Sequence, residues 1–237
     1  MSESRPVRLV TSPTLRERRL QGLLQGRDPG DPRLRAAVED AQVAGSLALA
    51  GIDATVQQVA TARGGREAPA AVHGMVRALR AVDASAPVTV EALRAWQAAV
   101  TGGTGALRGS ERERTGGPPP APARFVETRL RSLEQWLEME SGRELKPSQQ
   151  GALALARIVE ILPFEEANGR VARLAASHLM VRAGARPPVL GGEDAQRLQG
   201  ALQAAFQIHT EALCALLDEA ADRALDVMIA ALESGGV

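Results

Sequence analysis

Two arginines three residues apart, Arg170 and Arg173, follow directly on Asn168-Gly169 and on a carboxylate, Glu166. A helix that begins at Asn168 exposes backbone N–H groups without intrahelical partners at the positive end of its dipole. Such an end is a ready anion site. Arg170 and Arg173 then lie on neighbouring parts of one helix face, and their guanidinium forks suit phosphate oxygens. Gly169 lets a ligand approach the backbone closely, and Asn168 can cap or position the turn. Glu166, just before the turn, is placed to hold a magnesium ion that shares those oxygens. Together they read as a metal-diphosphate site. An ordinary helix start, with a capping Asn, a turn Gly and solvent-facing arginines, has the same spacing, and spacing alone leaves both readings open.

The elements that must position these residues are helical almost throughout. Ala and Leu dominate, β-branched runs are rare, and apolar residues recur at three and four. The pattern predicts helices over Thr14–Gln25, Pro32–Ala50, Ala54–Arg63, Ala70–Val82, Val90–Val100, Ala123–Glu140, Ser148–Leu162 and Asn168–Ala183. A long C-terminal stretch, Glu193–Glu233, is expected to break near Gly200 or at Gln207-Ile208-His209-Thr210. Thr101–Ala123 is dense in Gly and Pro, which forbids a helix and favours an extended, exposed loop. The short break Leu162–Ala167 separates two strong helices, and Pro163 holds it out of helix.

Charge is balanced, with 28 basic and 28 acidic residues, which argues against a chain that coats nucleic acid or a membrane surface. No nucleic-acid or membrane partner is expected. Lys146 is the only lysine, so nearly every cation is an arginine. Cys214 is the only cysteine and lies in an apolar run, so it reads as a small buried side chain, with no disulfide framework or cysteine-based zinc cluster. Met1–Val10 is polar, no apolar stretch is long enough to span a bilayer, and a cytoplasmic location is expected.

The segment from Leu162 to Arg173 resembles the signature of the Fic family: His-Pro-Phe, one residue, Asp or Glu, Gly-Asn-Gly-Arg, two residues, Arg. Pro163, Phe164, Glu166, Asn168, Gly169, Arg170 and Arg173 match it in register. The flanking helical stretches 152–160 and 174–184, Arg186-Pro187-Pro188 and Gly105-Ala106-Leu107-Arg108 are also similar to that family, over roughly Val88–Leu190. The resemblance implies an all-α fold, with a helical region over 1–87, a core over 88–237 and a flap ahead of the motif. It implies transfer of AMP from ATP to a protein hydroxyl, with ATP or ADP and magnesium as ligands. Nucleotide would be held by Asn168, Gly169, Arg170 and Arg173, the metal by Glu166, and an extended target segment by the flap at 116–123 through strand addition.

The chain departs from that pattern at the places that would do the transfer. Leu162 stands where the family has its catalytic histidine, and leucine has no atom that can take a hydroxyl proton. Ala167 replaces a motif glycine, which matters if that position needs positive φ. Gly45–Gly51 resembles a relic of the family's inhibitory helix (near 38–51), with Ser46 in place and Ala50 where the blocking glutamate would stand; this would leave Arg173 free for a ligand. The same string is also an Ala/Leu helix ending at glycine. The flap prolines lack donors and would pair poorly with a target. His73, His178 and His209 offer no evident substitute base, and Glu165 is only a weak one. The expectation is a nucleotide- or phosphate-binding protein with impaired or lost AMP transfer. An active transferase using another base or donor and a helical interaction module with a vestigial site are the alternatives; among partners, a homo-oligomer stays open.

Overall fold

The computed structural model describes residues 14–24, 31–81, 83, 85–114 and 117–234. The polar stretch Met1–Val10 and the first flap residue, Gly116, lie outside these residues. Eleven α-helices and two short 3₁₀ turns are present among them, and no strand. The helices are α1 (Leu15–Leu24), α2 (Pro32–Ala48), α3 (Val56–Arg63), α4 (Ala70–Arg80), α5 (Val90–Thr101), α6 (Val126–Glu138), α7 (Glu140–Arg143), α8 (Pro147–Ile161), α9 (Asn168–Arg182), α10 (Ala195–Ala205) and α11 (Glu211–Ser234). The all-α expectation holds.

The helix starts follow from local chemistry. Asp31 and Thr89 accept backbone N–H groups of α2 and α5, Thr55 and Gln58 close a capping box on α3, and Pro32 and Pro147 occupy first-turn positions where no N–H is needed. The C-terminal stretch breaks after α10 at Phe206–Thr210, where Ile208 takes φ 72°. Gly200 lies inside α10 and interrupts nothing.

Helices α8 and α9 form a central hairpin, and the turn between them carries the motif. α5 packs on α9 and α4 on α5; α6 and α11 pack on α8, and α2 lies across α3, α4 and α11. One hydrophobic cluster runs from Val43 to Ala221 and contains Leu47, Met75, Trp96, Leu130, Leu155, Phe164, Met180 and Leu217. With so few aromatic residues the core is filled by Ala, Leu and Val, so the helices come close together. No described helix is long and apolar enough to cross a membrane.

Residues 102–122 are not the simple exposed loop that their composition suggests. Gly105, Arg108, Pro120 and Ala121 are buried in it. Gly105 has φ 69°, and a Cβ there would lie 2.2 Å from the Arg94 carbonyl oxygen, so the chain can turn against α5 only with glycine at that point.

Candidate functional site

The turn from Leu162 to Ala167 is held from inside. Phe164 is fully buried, 1% exposed, and anchors the loop in the core. Burying a phenylalanine contributes roughly 1.5–3 kcal/mol. The Asn168 side chain reaches back across the turn: its Nδ2 donates to the Phe164 carbonyl at 2.8 Å, and its Oδ1 accepts the Phe164 N–H at 2.9 Å. Asn168 therefore positions the turn and does not cap the helix. Leu162 and Ala167, at the two ends of the turn, both adopt left-handed conformations, φ 49° and φ 65°. Positive φ at Ala167 is the condition under which its methyl group is unfavourable, at about 1 kcal/mol relative to glycine.

Beyond Ala167 the backbone donors are open. The first α9 amide with a backbone acceptor is Val171, which donates to the Ala167 carbonyl at 3.0 Å. Among the described residues, the N–H groups of Asn168, Gly169 and Arg170 meet no acceptor. Arg170 is half-buried beside them and joins no ion pair among the described residues. Burial pushes its pKa down, and nearby Glu166 offsets part of that effect. Arg173 is half-buried and has no carboxylate partner there either; burial, with the neighbouring Arg170 charge, lowers its pKa to about 10. Two adjacent desolvated guanidiniums and a row of free N–H groups make a site that an anion would stabilise and a cation would not.

Arg173 is not free, contrary to the sequence expectation. Its Nε donates to Ser46 Oγ at 2.9 Å and its Nη2 to the Ser46 carbonyl at 2.7 Å. Ser46 lies in the last turn of α2, so the element resembling the inhibitory helix does face the last motif arginine. Ala50 falls in the exposed turn just past that helix. The remaining nitrogen, Nη1, points at Gly169, where a Cβ would lie 3.1 Å from it; glycine keeps that gap open. Behind Arg173 the cavity lined by Gln42, Ser46, Ser177 and Leu190 is only about 30 Å³, so a ligand must come from the Gly169 side.

Glu166 is exposed at the mouth of the turn. Glu165, beside it, is occupied: Ser110 Oγ donates to its carboxylate at 2.8 Å and Arg112 pairs with it. The Ser110 hydroxyl, and then Arg112, hold its pKa below the ordinary carboxylate value, which weakens it as a base. His178 is buried, donates from Nε2 to the Ala86 carbonyl at 2.7 Å, and lies against Trp96 at 5.7 Å between ring centroids. It is part of the α5–α9 packing. Cys214 is half-buried, and burial raises its thiol pKa.

Residues on the loop ahead of α6 complete the site, and spacing alone does not mark them. The buried Arg108 side chain donates to the carbonyls of Ile161 and Leu162, while its own N–H meets the Pro163 carbonyl at 2.9 Å. Arg114 donates to the carbonyls of Val159 and Glu160.

Comparison with known proteins agrees with the all-α fold. Residues 87–180 match the Fic/DOC family. The chain is 34% identical over 71 residues to a protein adenylyltransferase fic-1 of Caenorhabditis elegans, covering 30% of this chain and 14% of that protein. It is 39% identical over 75 residues to a protein adenylyltransferase Fic of Drosophila grimshawi, covering 32% and 15%. The matches thus span only about a seventh of the length of these relatives. Its fold is similar to that of a solved fragment of C. elegans Fic-1, with TM-score 0.74 and 20% identity over 93% of this chain and 74% of that one. It is equally similar to a Fic domain containing signaling protein from Bacteroides thetaiotaomicron, with TM-score 0.74 and 19% identity over 93% and 98%. With the motif in register and the helical hairpin that carries it, the chain is similar to the Fic/DOC family over residues 87–180 and shares the all-α fold of the solved Fic structures.

Proposed function

We propose that the chain binds a nucleoside diphosphate or triphosphate at the N-terminus of α9 and that AMP transfer from this site is impaired or lost. The observation that carries the reading is the pairing of three unpartnered N–H groups, at Asn168, Gly169 and Arg170, with two desolvated guanidiniums that have no carboxylate partner among the described residues. Arg170 is the main side-chain ligand. Arg173 contributes through Nη1, because Ser46 holds its other two nitrogens.

The relatives named above are adenylyltransferases, and the chemistry of AMP transfer needs a base for the target hydroxyl. Leu162 supplies none. Glu165, a carboxylate of the turn, is paired and made more acidic. Ala50 likewise brings no carboxylate to Arg173, so the site lacks a glutamate brake as well as a base. On this reading Ser46 sets the position of Arg173 and does not exclude nucleotide.

Among the described residues, no three metal-binding side chains gather in one place. A single carboxylate, Glu166, beside a phosphate site still suits magnesium, which is commonly held by one or two carboxylates, water and substrate phosphates. When bound, the ion would neutralise phosphate charge. The flap is a poor dock for a target strand: the carbonyls of Pro118 and Ala121 and the Ala123 N–H already have partners in the chain.

Calorimetric titration with ADP and with ATP, with and without magnesium, tests the reading. Saturable binding that improves with magnesium is expected. No binding of either nucleotide would overturn it and leave the site vestigial. A labelled protein band formed from labelled ATP in a cell lysate, and lost on Glu166→Ala, would overturn the loss of transfer.

A further inference from the structure

We propose that Arg108 and Arg114 are positioning residues that join the flap and the motif turn into one mechanical unit. The last four carbonyls of a helix have no intrahelical donors and need partners when buried. In α8 these are Val159, Glu160, Ile161 and Leu162. The residues that follow cannot serve them: Pro163 has no N–H, and the Phe164 N–H is taken by Asn168.

Two guanidiniums from one loop supply all four. Arg114 covers Val159 and Glu160, the latter at 3.2 Å. Arg108 covers Ile161, at 3.2 Å, and Leu162. Arg108 also holds both sides of its own loop, donating to the carbonyls of Ser110, at 2.6 Å, and Ala121. Arg114 is clamped further by the ring of Phe206, 4.9 Å from its centroid, on the turn after α10.

Arg108 is 3% exposed and has no carboxylate partner among the described residues; burial lowers its pKa. A desolvated cation without a counter-ion is costly, and here the negative end of the α8 dipole compensates it. The compensation exists only while the flap sits on α8. Lifting the flap would strand the Arg108 charge and free the four carbonyls together. The carbonyls of Ile161 and Leu162 belong to the residues that lead into the left-handed turn at Leu162. Displacing the flap should therefore loosen that turn, and with it the Asn168 brace and the open end of α9. Lysine cannot replace either arginine, since one ammonium cannot meet acceptors spread over two strands of chain.

The test is amide hydrogen exchange on the ligand-free protein, for Arg108→Lys and for the milder Arg114→Ala. Both variants should speed exchange by at least about ten-fold, the scale expected for loss of charge-assisted hydrogen bonds, at the bonded amide of Arg108 and equally at the bonded amides of Leu162, Phe164 and Val171. Exchange in α4 and α5 should stay unchanged. Faster exchange confined to Arg108 would overturn the coupling, and so would a uniform rise that includes α4 and α5. If Arg108→Lys does not fold, Arg114→Ala decides alone by the same pattern. Because no ligand is present, the result stands apart from whether nucleotide binds. A pyrophosphate titration of the same variants then reads the consequence at the site.

Discussion

The two helix ends that meet at the motif turn are treated in opposite ways. At the C-terminus of α8 every orphan carbonyl has a donor, delivered by two arginines of the loop that leads into the flap. At the N-terminus of α9, six residues later, three amides have no acceptor and two guanidiniums beside them have no carboxylate among the described residues. A polypeptide that folds with one end saturated and the other open has placed its unmet electrostatic demand at one spot, and that demand is for an anion. The contrast also separates what the site keeps from what it lacks. The open end needs only backbone geometry and arginine, both present. On the proposed function, the closed end is where a proton acceptor would be needed, and there the chain has leucine.

The largest expected effect comes from restoring that acceptor. Leu162→His should raise self-modification or target modification with labelled ATP by two to four orders of magnitude, the usual worth of a general base. The fold should tolerate it, since Leu162 is already left-handed and histidine enters that region more readily than leucine. Silence in a variant that still binds nucleotide would show that the open end is misaligned for transfer, and not merely short of a base. Next comes Arg170→Ala, which removes the guanidinium with no competing partner. ADP affinity measured by calorimetry should fall about ten- to a hundred-fold, as for loss of a charged hydrogen-bonding group. Equal affinity would mean that the free amides alone account for binding.

How much of this contrast is legible in the sequence differs between its two sides. The open end is a local feature: Asn168, Gly169, Arg170 and Arg173 are consecutive or nearly so, and helix periodicity places them. The helices themselves are legible for the same reason, because Ala/Leu periodicity with Pro32, Thr55, Thr89 and Pro147 at the starts is local information. The closed end is not local. Arg108 and Arg114 lie about fifty residues from the carbonyls they serve, inside a Gly/Pro-rich stretch whose composition reads as exposed loop. Nothing in spacing distinguishes them from the other arginines of a chain with one lysine. The capture of Arg173 by Ser46 is hidden likewise: Ser46 is legible as part of a relic element, but the use of its carbonyl depends on how α2 crosses α9.

A smaller effect tests the strain at the open end. Ala167→Gly should stabilise the protein by about 1 kcal/mol by relieving the left-handed alanine, raising the melting temperature by about 2–4 °C for a domain of this size. It should also tighten phosphate binding, if the methyl group and not Arg173 limits approach. A lower melting temperature would show that the greater freedom of glycine in the unfolded chain outweighs the relief, and that the turn is not strained at this point.

The smallest effect sits on the border between the two ends, at Glu165. Its carboxylate accepts from Ser110 and pairs with Arg112, so its folded pKa lies below the ordinary 4.5. A depressed carboxylate pKa contributes stability above the unfolded value, and that contribution disappears as pH falls through the folded one. The contact of Glu165 with Ser110 and Arg112 should therefore be fully present above about pH 4.5 and weaken only in more acid solution. Following the Glu165 side-chain carboxyl by NMR should place its inflection below 4.5, and Ser110→Ala and Arg112→Ala should each move it up. Neither change should alter ADP affinity at neutral pH, where the open end of α9 keeps all of its donors. An inflection that ignores both substitutions would mean that Glu165 takes its acidity from the positive site beyond the turn, and the border between the closed and open ends would then have to be drawn on the other side of it.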